Sequence, residues 1–128
     1  MSAPDVPQLL ARAKAGDPQA QYEYGLMHTL GTHSKKDFRV AADWLTKAAE
    51  AGVGDAQFVL GALYEQGQGV PADQSRAIQW YQKAAEQGHS SAQFNLGFCY
   101  ETGTGVEKDV KLAVKWYRRA AKRGDADA

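Results

Sequence analysis

The 128-residue chain repeats itself every 36 residues. Three blocks, 17–52, 53–88 and 89–124, align without a gap, and blocks two and three are identical at 17 of their 36 positions. Block one has diverged but keeps the frame: Ala20/Ala56/Ala92, Gln21/Gln57/Gln93, Gly25/Gly61/Gly97, Gly31/Gly67/Gly103, Asp37/Asp73/Asp109, Ala41/Ala77/Ala113, Trp44/Trp80/Trp116 and Gly52/Gly88/Gly124. Residues 6–16 read as the second half of another block, with Gly16 in the Gly52 column, and 125–128 read as the opening of a fourth. A unit this short cannot enclose a core of its own. It is stable only when neighbouring units bury each other's apolar faces, and this confines the chain to a stacked repeat architecture.

Each block holds two helical stretches. Helix A is expected at 18–30, 55–66 and 91–102, where Ala56, Leu60, Leu63, Tyr64 and Gly67 follow i, i+4, i+7, i+8 spacing. Asp17 followed by Pro18 is a cap-and-proline start. Helix B is expected at 37–51, 73–87 and 109–123, opened by Asp37, Asp73 and Asp109, whose carboxylates also suit the positive end of the helix dipole. Glycines 31, 67 and 103 are read as ends of helix A, and glycines 52, 88 and 124 as ends of helix B. The short connection between A and B makes an antiparallel hairpin. A glycine inside helix A costs about 1 kcal/mol against alanine, so its recurrence at 25, 61 and 97 implies close approach of helix B, expected over the helix B alanines. No useful β-alternation occurs.

These segments resemble the Sel1-like repeat family, a relative of the tetratricopeptide repeat. The match runs through 56–64 (AQFVLGALY), 67–70 (GQGV) and 77–85 (AIQWYQKAA), and again through 92–100, 103–106 and 113–121. In block one His28 stands in the column of Tyr64 and Tyr100, Leu45 in that of Tyr81 and Tyr117, and His33-Ser34 replaces Gly69-Val70. The resemblance implies an all-α superhelix, a solenoid of three 36-residue repeats plus an N-terminal half repeat, forming one domain. It further implies a scaffold or adaptor that binds a peptide or partner domain in a concave groove lined by helix A. A second reading is an immunity or inhibitor protein that blocks a cognate toxin or enzyme. A third, a hydrolase of the β-lactam-binding type, follows cysteine-rich secreted relatives with a disulfide in each repeat; a chain with Cys99 alone matches that branch poorly.

The residues favour an interaction protein over an enzyme. There is no phosphate-binding loop, no His-Glu-x-x-His and no Gly-x-Ser-x-Gly, and Gly67-Gln68-Gly69 and Gly103-Thr104-Gly105 do not follow strands. His28 and His33, near Asp37 and Asp43, read as a substituted core position and a polar loop, and no metal or other cofactor is expected. His89 is expected to be solvated, and Cys99 to be a small buried hydrophobe. With 15 basic and 15 acidic residues the formal net charge is zero, so no bulk charge draws the chain to nucleic acid. No apolar run has the length of a membrane span, and the opening residues lack the pattern of a secretory signal, so a cytoplasmic protein is expected.

The expected binding surface is the face of helix A turned away from Leu60 and Tyr64. Its candidates are Tyr22 and Leu26 in block one, Asp55, Phe58, Ala62, Glu65 and Gln66 in block two, and Phe94, Phe98 and Glu101 in block three. Apolar anchors beside carboxylates suit a partner segment with apolar residues and a Lys or Arg. Tyr22, Phe58 and Phe94 serve equally well as groove residues or as packing between adjacent A helices. Residues 107–124 carry a net charge of +5, leaving −5 elsewhere. This basic helix, 109–123, reads as a solvated polar cap, as a contact for weak head-to-tail self-association, or as a patch for phosphate or nucleic acid.

Overall fold

The computed structural model describes residues 6–31 and 36–127, with side chains described up to 122. Among these residues the chain forms seven helices and no strand: α1 (Val6–Lys14), α2 (Pro18–Leu30), α3 (Phe38–Glu50), α4 (Gly54–Gln66), α5 (Gln74–Glu86), α6 (Ser90–Thr102) and α7 (Val110–Asp127). The even-numbered helices are the A helices; α3, α5 and α7 are B helices, and α1 is the B-type half repeat. The diverged loop positions His33 and Ser34 lie outside the described residues.

The capping chemistry falls where the aspartates stand. Asp37, Asp73 and Asp109 accept the backbone N–H of Val40, Arg76 and Leu112 at 3.0–3.1 Å, and Asp17 accepts those of Gln19 and Ala20 ahead of the N1 proline. At the other end of helix A, Gly67 turns the chain with φ 69°, its N–H returning to the Leu63 carbonyl. A side chain there would also crowd Ala72. The hairpin is then closed by the N–H of the next cap, Asp73 to the Tyr64 carbonyl at 2.9 Å, and the same bond recurs from Asp37 to His28 and from Asp109 to Tyr100.

One helix end departs from expectation. Helix α7 passes through Gly124, where the sequence pattern placed its end, and reaches Asp127. At Gly52 and Gly88 the chain turns with positive φ into a following A helix.

Two kinds of seam hold the stack together. Within each hairpin the A helix presses its glycine against helix B. A Cβ on Gly61 would stand 2.8 Å from the Tyr81 ring and 3.2 Å from the Ala77 carbonyl oxygen, and Gly97 meets Tyr117 and Ala113 in the same way. The expectation of alanine neighbours is therefore refined: the nearest atoms belong to the Leu45/Tyr81/Tyr117 column, with the alanine column supplying backbone oxygen. Between hairpins, each B helix packs on the next A helix, α1 on α2, α3 on α4 and α5 on α6. Ala41, Ala42, Leu45, Ala48 and Ala49 share one buried cluster with Ala56, Leu60 and Leu63; Ala77, Ile78, Tyr81, Ala84 and Ala85 share another with Ala92, Leu96 and Cys99.

A buried glutamine pins each inter-repeat seam. Gln21, Gln57 and Gln93 donate from Nε2 to the carbonyls of Ala13, Ala49 and Ala85 at 3.0–3.1 Å. A polar side chain is tolerated in this core because its amide is spent on a carbonyl in the last turn of the preceding helix. Each hairpin thus contacts chiefly its neighbours in sequence, the arrangement of a solenoid.

Candidate interaction surface

The ten candidate residues separate into seam and surface. Tyr22 and Leu26 are half-buried, and Tyr22 packs against the cluster built by α3 and α4. Phe58 is also half-buried, 5.7 Å from the Tyr81 ring and stacked at 4.8 Å on the imidazole of His89. In the last hairpin the equivalent Phe94 touches Tyr117 at 5.3 Å but stands 57% exposed, and Phe98 is 52% exposed. Glu101 and Gln66 are exposed, Ala62 and Glu65 half-buried.

An open groove of about 820 Å³ runs beside α6 and α7, lined by Phe58, Ser90, Ser91, Phe94, Asn95, Glu101, Tyr117, Ala120 and Ala121. It unites Phe58, Phe94 and Glu101 of the predicted set. Tyr22, Leu26, Asp55, Ala62, Glu65, Gln66 and Phe98 do not line it. Ser90, Ser91, Asn95, Tyr117, Ala120 and Ala121 supply the rest of its wall. Tyr117, Ala120 and Ala121 enter because the last B helix leaves uncovered a flank that other B helices bury, which is not apparent within one 36-residue block.

The charges are placed by local bonds. The Tyr117 hydroxyl donates to Glu101 Oε1 at 2.9 Å, fixing the carboxylate on the wall; loss of solvent contact and this acceptor raise the phenol above its ordinary range. Asp55 is not a free acidic contact, because its Oδ1 accepts from His89 Nε2 at 2.9 Å. His89 corrects the expectation of a solvated histidine. Its Nδ1 accepts the Ala92 N–H at 3.2 Å, capping α6, so the proton sits on Nε2 toward Asp55, and its ring carries Phe58. The missed signal was positional: His89 occupies the cap column held by Asp17 in block one.

A second recurring contact lies on the B helices. Lys47, Lys83 and Arg119 each stand three residues after a tryptophan and lie over its ring, at 5.5, 5.0 and 4.6 Å from the centroids of Trp44, Trp80 and Trp116. Cys99 is buried, and burial, with Glu65 nearby, pushes its thiol up to about 11, leaving almost no thiolate near neutral pH. Among the described residues no group of three His, Cys, Asp or Glu side chains is placed to hold a metal ion. None of their helices is long and apolar enough to cross a membrane.

A linear stack of helical hairpins with an open, aromatic-lined groove defines the class of α-solenoid repeat proteins, a fold typical of protein–protein interaction scaffolds. Within it, the chain belongs to the Sel1 repeat family, whose model matches residues 18–53, 54–89 and 90–125. Among solved structures, a Sel1 repeat protein from Oxalobacter formigenes is 39% identical, with a TM-score of 0.87 over 93% of this chain and 49% of its own. A protective antigen of uropathogenic Escherichia coli, displaying the same repeat fold, is 43% identical with a TM-score of 0.90, over 95% of this chain and 26% of its own. The chain thus spans about half and about a quarter of these two structures. The cysteine-rich protein B of Helicobacter pylori, 28% identical, covers 98% of the chain with a TM-score of 0.74 and is matched over 95% of its own. An immunity protein from Pseudomonas aeruginosa, 24% identical, shares the fold with a TM-score of 0.67 over 89% of this chain and 43% of its own. No curated protein matches the chain significantly. Proteins of this family generally act as non-enzymatic scaffolds that bind other proteins.

Proposed function

We propose that this chain is an interaction scaffold that holds a segment of a partner protein along the exposed face of its last A helix, with Phe94 and Phe98 as apolar anchors and Glu101 as the carboxylate that meets a Lys or Arg. The observation that carries the reading is the exposure of two phenylalanines, one helical turn apart on α6, with Phe94 on the wall of an 820 Å³ groove. Exposed aromatic anchors beside a charged rim are the usual centre of a binding surface. Tyr22, Leu26, Asp55, Ala62, Glu65 and Gln66 extend the same helix-A surface toward the earlier repeats; Tyr22, Leu26, Ala62 and Glu65 are half-buried and contribute shape, and Asp55 and Gln66 are exposed.

The test is to recover a partner with the intact chain and remeasure its affinity for Phe94→Ala and Phe98→Ala. Both side chains are mostly in solvent, so the melting temperature should stay within a few degrees of wild type while affinity falls about tenfold or more. A parallel collapse of melting temperature, or undiminished affinity, overturns the reading. Inhibition of a cognate enzyme or toxin is the second reading, supported by a shared fold with an immunity protein. A single stoichiometric enzyme partner that loses activity on binding would favour it.

A further inference from the structure

The outer face of α7 has two templates within the same molecule. On α5 the column Gln74, Ile78, Tyr81, Ala85 faces the next hairpin; Ile78, Tyr81 and Ala85 are buried with α6, and the Gly105 turn rests on Gln74 and Ile78. On α3 the column is Phe38, Ala42, Leu45, Ala49, sealed by α4 and by the Gly69 turn against Phe38. On α7 the column is Val110, Val114, Tyr117, Ala121. Tyr117 is half-buried against α6, but Val110 and Val114 stand 55% and 41% exposed and Ala121 is exposed. The four positions are i, i+4, i+7 and i+11, one stripe of an α-helix.

The residues beside the stripe identify its chemistry. Lys111, Lys115, Arg118 and Lys122 form a second row about a quarter turn around the helix, all exposed. With Val114 and Arg119 they line a hollow of about 320 Å³. The equivalent row on α5 is Ser75, Gln79, Gln82 and Glu86, and on α3 Arg39, Asp43, Thr46 and Glu50; neither is cationic throughout. Two copies of α7 facing each other would bring these rows together and repel. A nucleic acid would meet the cations but leave the valines wet.

We propose that α7 docks an acidic amphipathic helix of a partner protein, in the berth that the next A helix occupies on α3 and α5. That helix sets small and aliphatic residues on Val110, Val114, Tyr117 and Ala121, and carboxylates along Lys111, Lys115, Arg118 and Lys122. The inference rests on the interaction-scaffold reading; Tyr117 and Ala121 also wall the groove beside Phe94, whereas Val110 and Val114 lie outside it.

The probe is a stapled, fluorescein-labelled 16-residue helical peptide with the apolar seam of α6 and glutamates on the flank facing the cations; its twin carries lysines there. The intact chain should bind the acidic peptide at least about tenfold more tightly than the twin, and more weakly as salt rises. Val114→Asp and the triple variant Lys115→Glu/Arg118→Glu/Lys122→Glu should each weaken it about tenfold or more, with circular dichroism and melting temperature unchanged, because these side chains are exposed. Equal binding of the two peptides, or binding indifferent to Val114→Asp, overturns the proposal. So does salt-steep binding of a DNA duplex that Val114→Asp leaves intact, or concentration-dependent dimerisation in sedimentation that Val114→Asp abolishes. The two readings fail separately. Loss of a recovered partner in Phe98→Ala, with peptide binding unaffected by Val114→Asp, refutes this proposal and keeps the α6 surface; the reverse pattern refutes the α6 surface.

Discussion

The first and last described helices are packed differently. At the N-terminal end, the nine-residue α1 lies on α2 as a reduced B helix. Leu9 and Ala13 are buried against Ala20 and Met27, the Ala13 carbonyl takes the Gln21 amide, and Arg12 pairs with the Asp17 cap at 2.8 Å. Its remaining surface includes Gln8, Arg12 and Lys14, all exposed. In the last hairpin, the 18-residue α7 packs Tyr117 of the same seam column against α6 and leaves Val110, Val114 and Ala121 exposed. The first helix turns Gln8, Arg12 and Lys14 outward, and the last turns out Val110, Val114 and Ala121 flanked by cations. Repetition of sequence therefore does not give repetition of environment: an equivalent residue is core in one hairpin and surface in the last.

Substitutions at equivalent positions test this difference directly, and the largest effect is expected in the seam. Ala85 is fully buried between α5 and α6, whereas Ala121 in the same column is exposed. Ala85→Glu forces a larger, charged side chain into a packed interface and should cost about 3 kcal/mol or more. Ala121→Glu should change stability by no more than about 0.5 kcal/mol. Urea unfolding midpoints of the two variants measure the contrast; equal losses would mean that α7 is covered in solution.

A smaller contrast lies at the tyrosines. Tyr81 is fully buried, and its hydroxyl finds no hydrogen-bond partner, although Glu65 and Asn95 are near; burial drives its phenol far above the ordinary range. Tyr117 donates to an exposed carboxylate. Tyr81→Phe removes a buried, unpaid polar group and should leave stability unchanged or raise it by up to about 1 kcal/mol, while Tyr117→Phe should lower it by about 0.5–1 kcal/mol. A large loss in Tyr81→Phe would show that the hydroxyl has a partner, such as a buried water.

The hairpins, the aspartate caps and the all-helical stack were legible because each rests on local signals that recur with the period: Asp at 37, 73 and 109, Gly at 31, 67 and 103, and the Ala-Gln pair that enters each seam. What escaped was whatever depends on the surroundings of each hairpin. Gly124 has the sequence of a helix terminator, yet α7 runs through it to Asp127. Phe94 and Phe58 are the same residue in the same column, yet one is half-buried against His89 and the other is mostly in solvent. His89 itself was misread because its two bonds, to Ala92 and to Asp55 of the previous hairpin, join positions 3 and 34 residues away, and only the first is local.

The smallest expected effect concerns how α1 is held. The Arg12 guanidinium, and then the N–H of Ala20, lower the Asp17 carboxyl below the usual carboxylate range, and the same partnership raises Arg12. A depressed folded-state pKa means that the charged form is preferred in the folded protein. The stabilisation is therefore present above the unfolded carboxylate value of about 3.9 and is lost as pH falls through the lower folded value. Both groups are at the surface, so the contribution is modest and screened by salt. The carboxyl carbon shift of Asp17, followed by NMR, should titrate below the reference value, and Arg12→Gln should move the midpoint upward. Since Arg12 lies on α1 and Asp17 caps α2, the same titration reports whether the short helix stays docked in acid. An Asp17 midpoint at the ordinary value in the wild-type protein would mean that the ion pair does not hold α1 in solution, leaving Leu9, Ala13 and the Gln21 amide to secure that end.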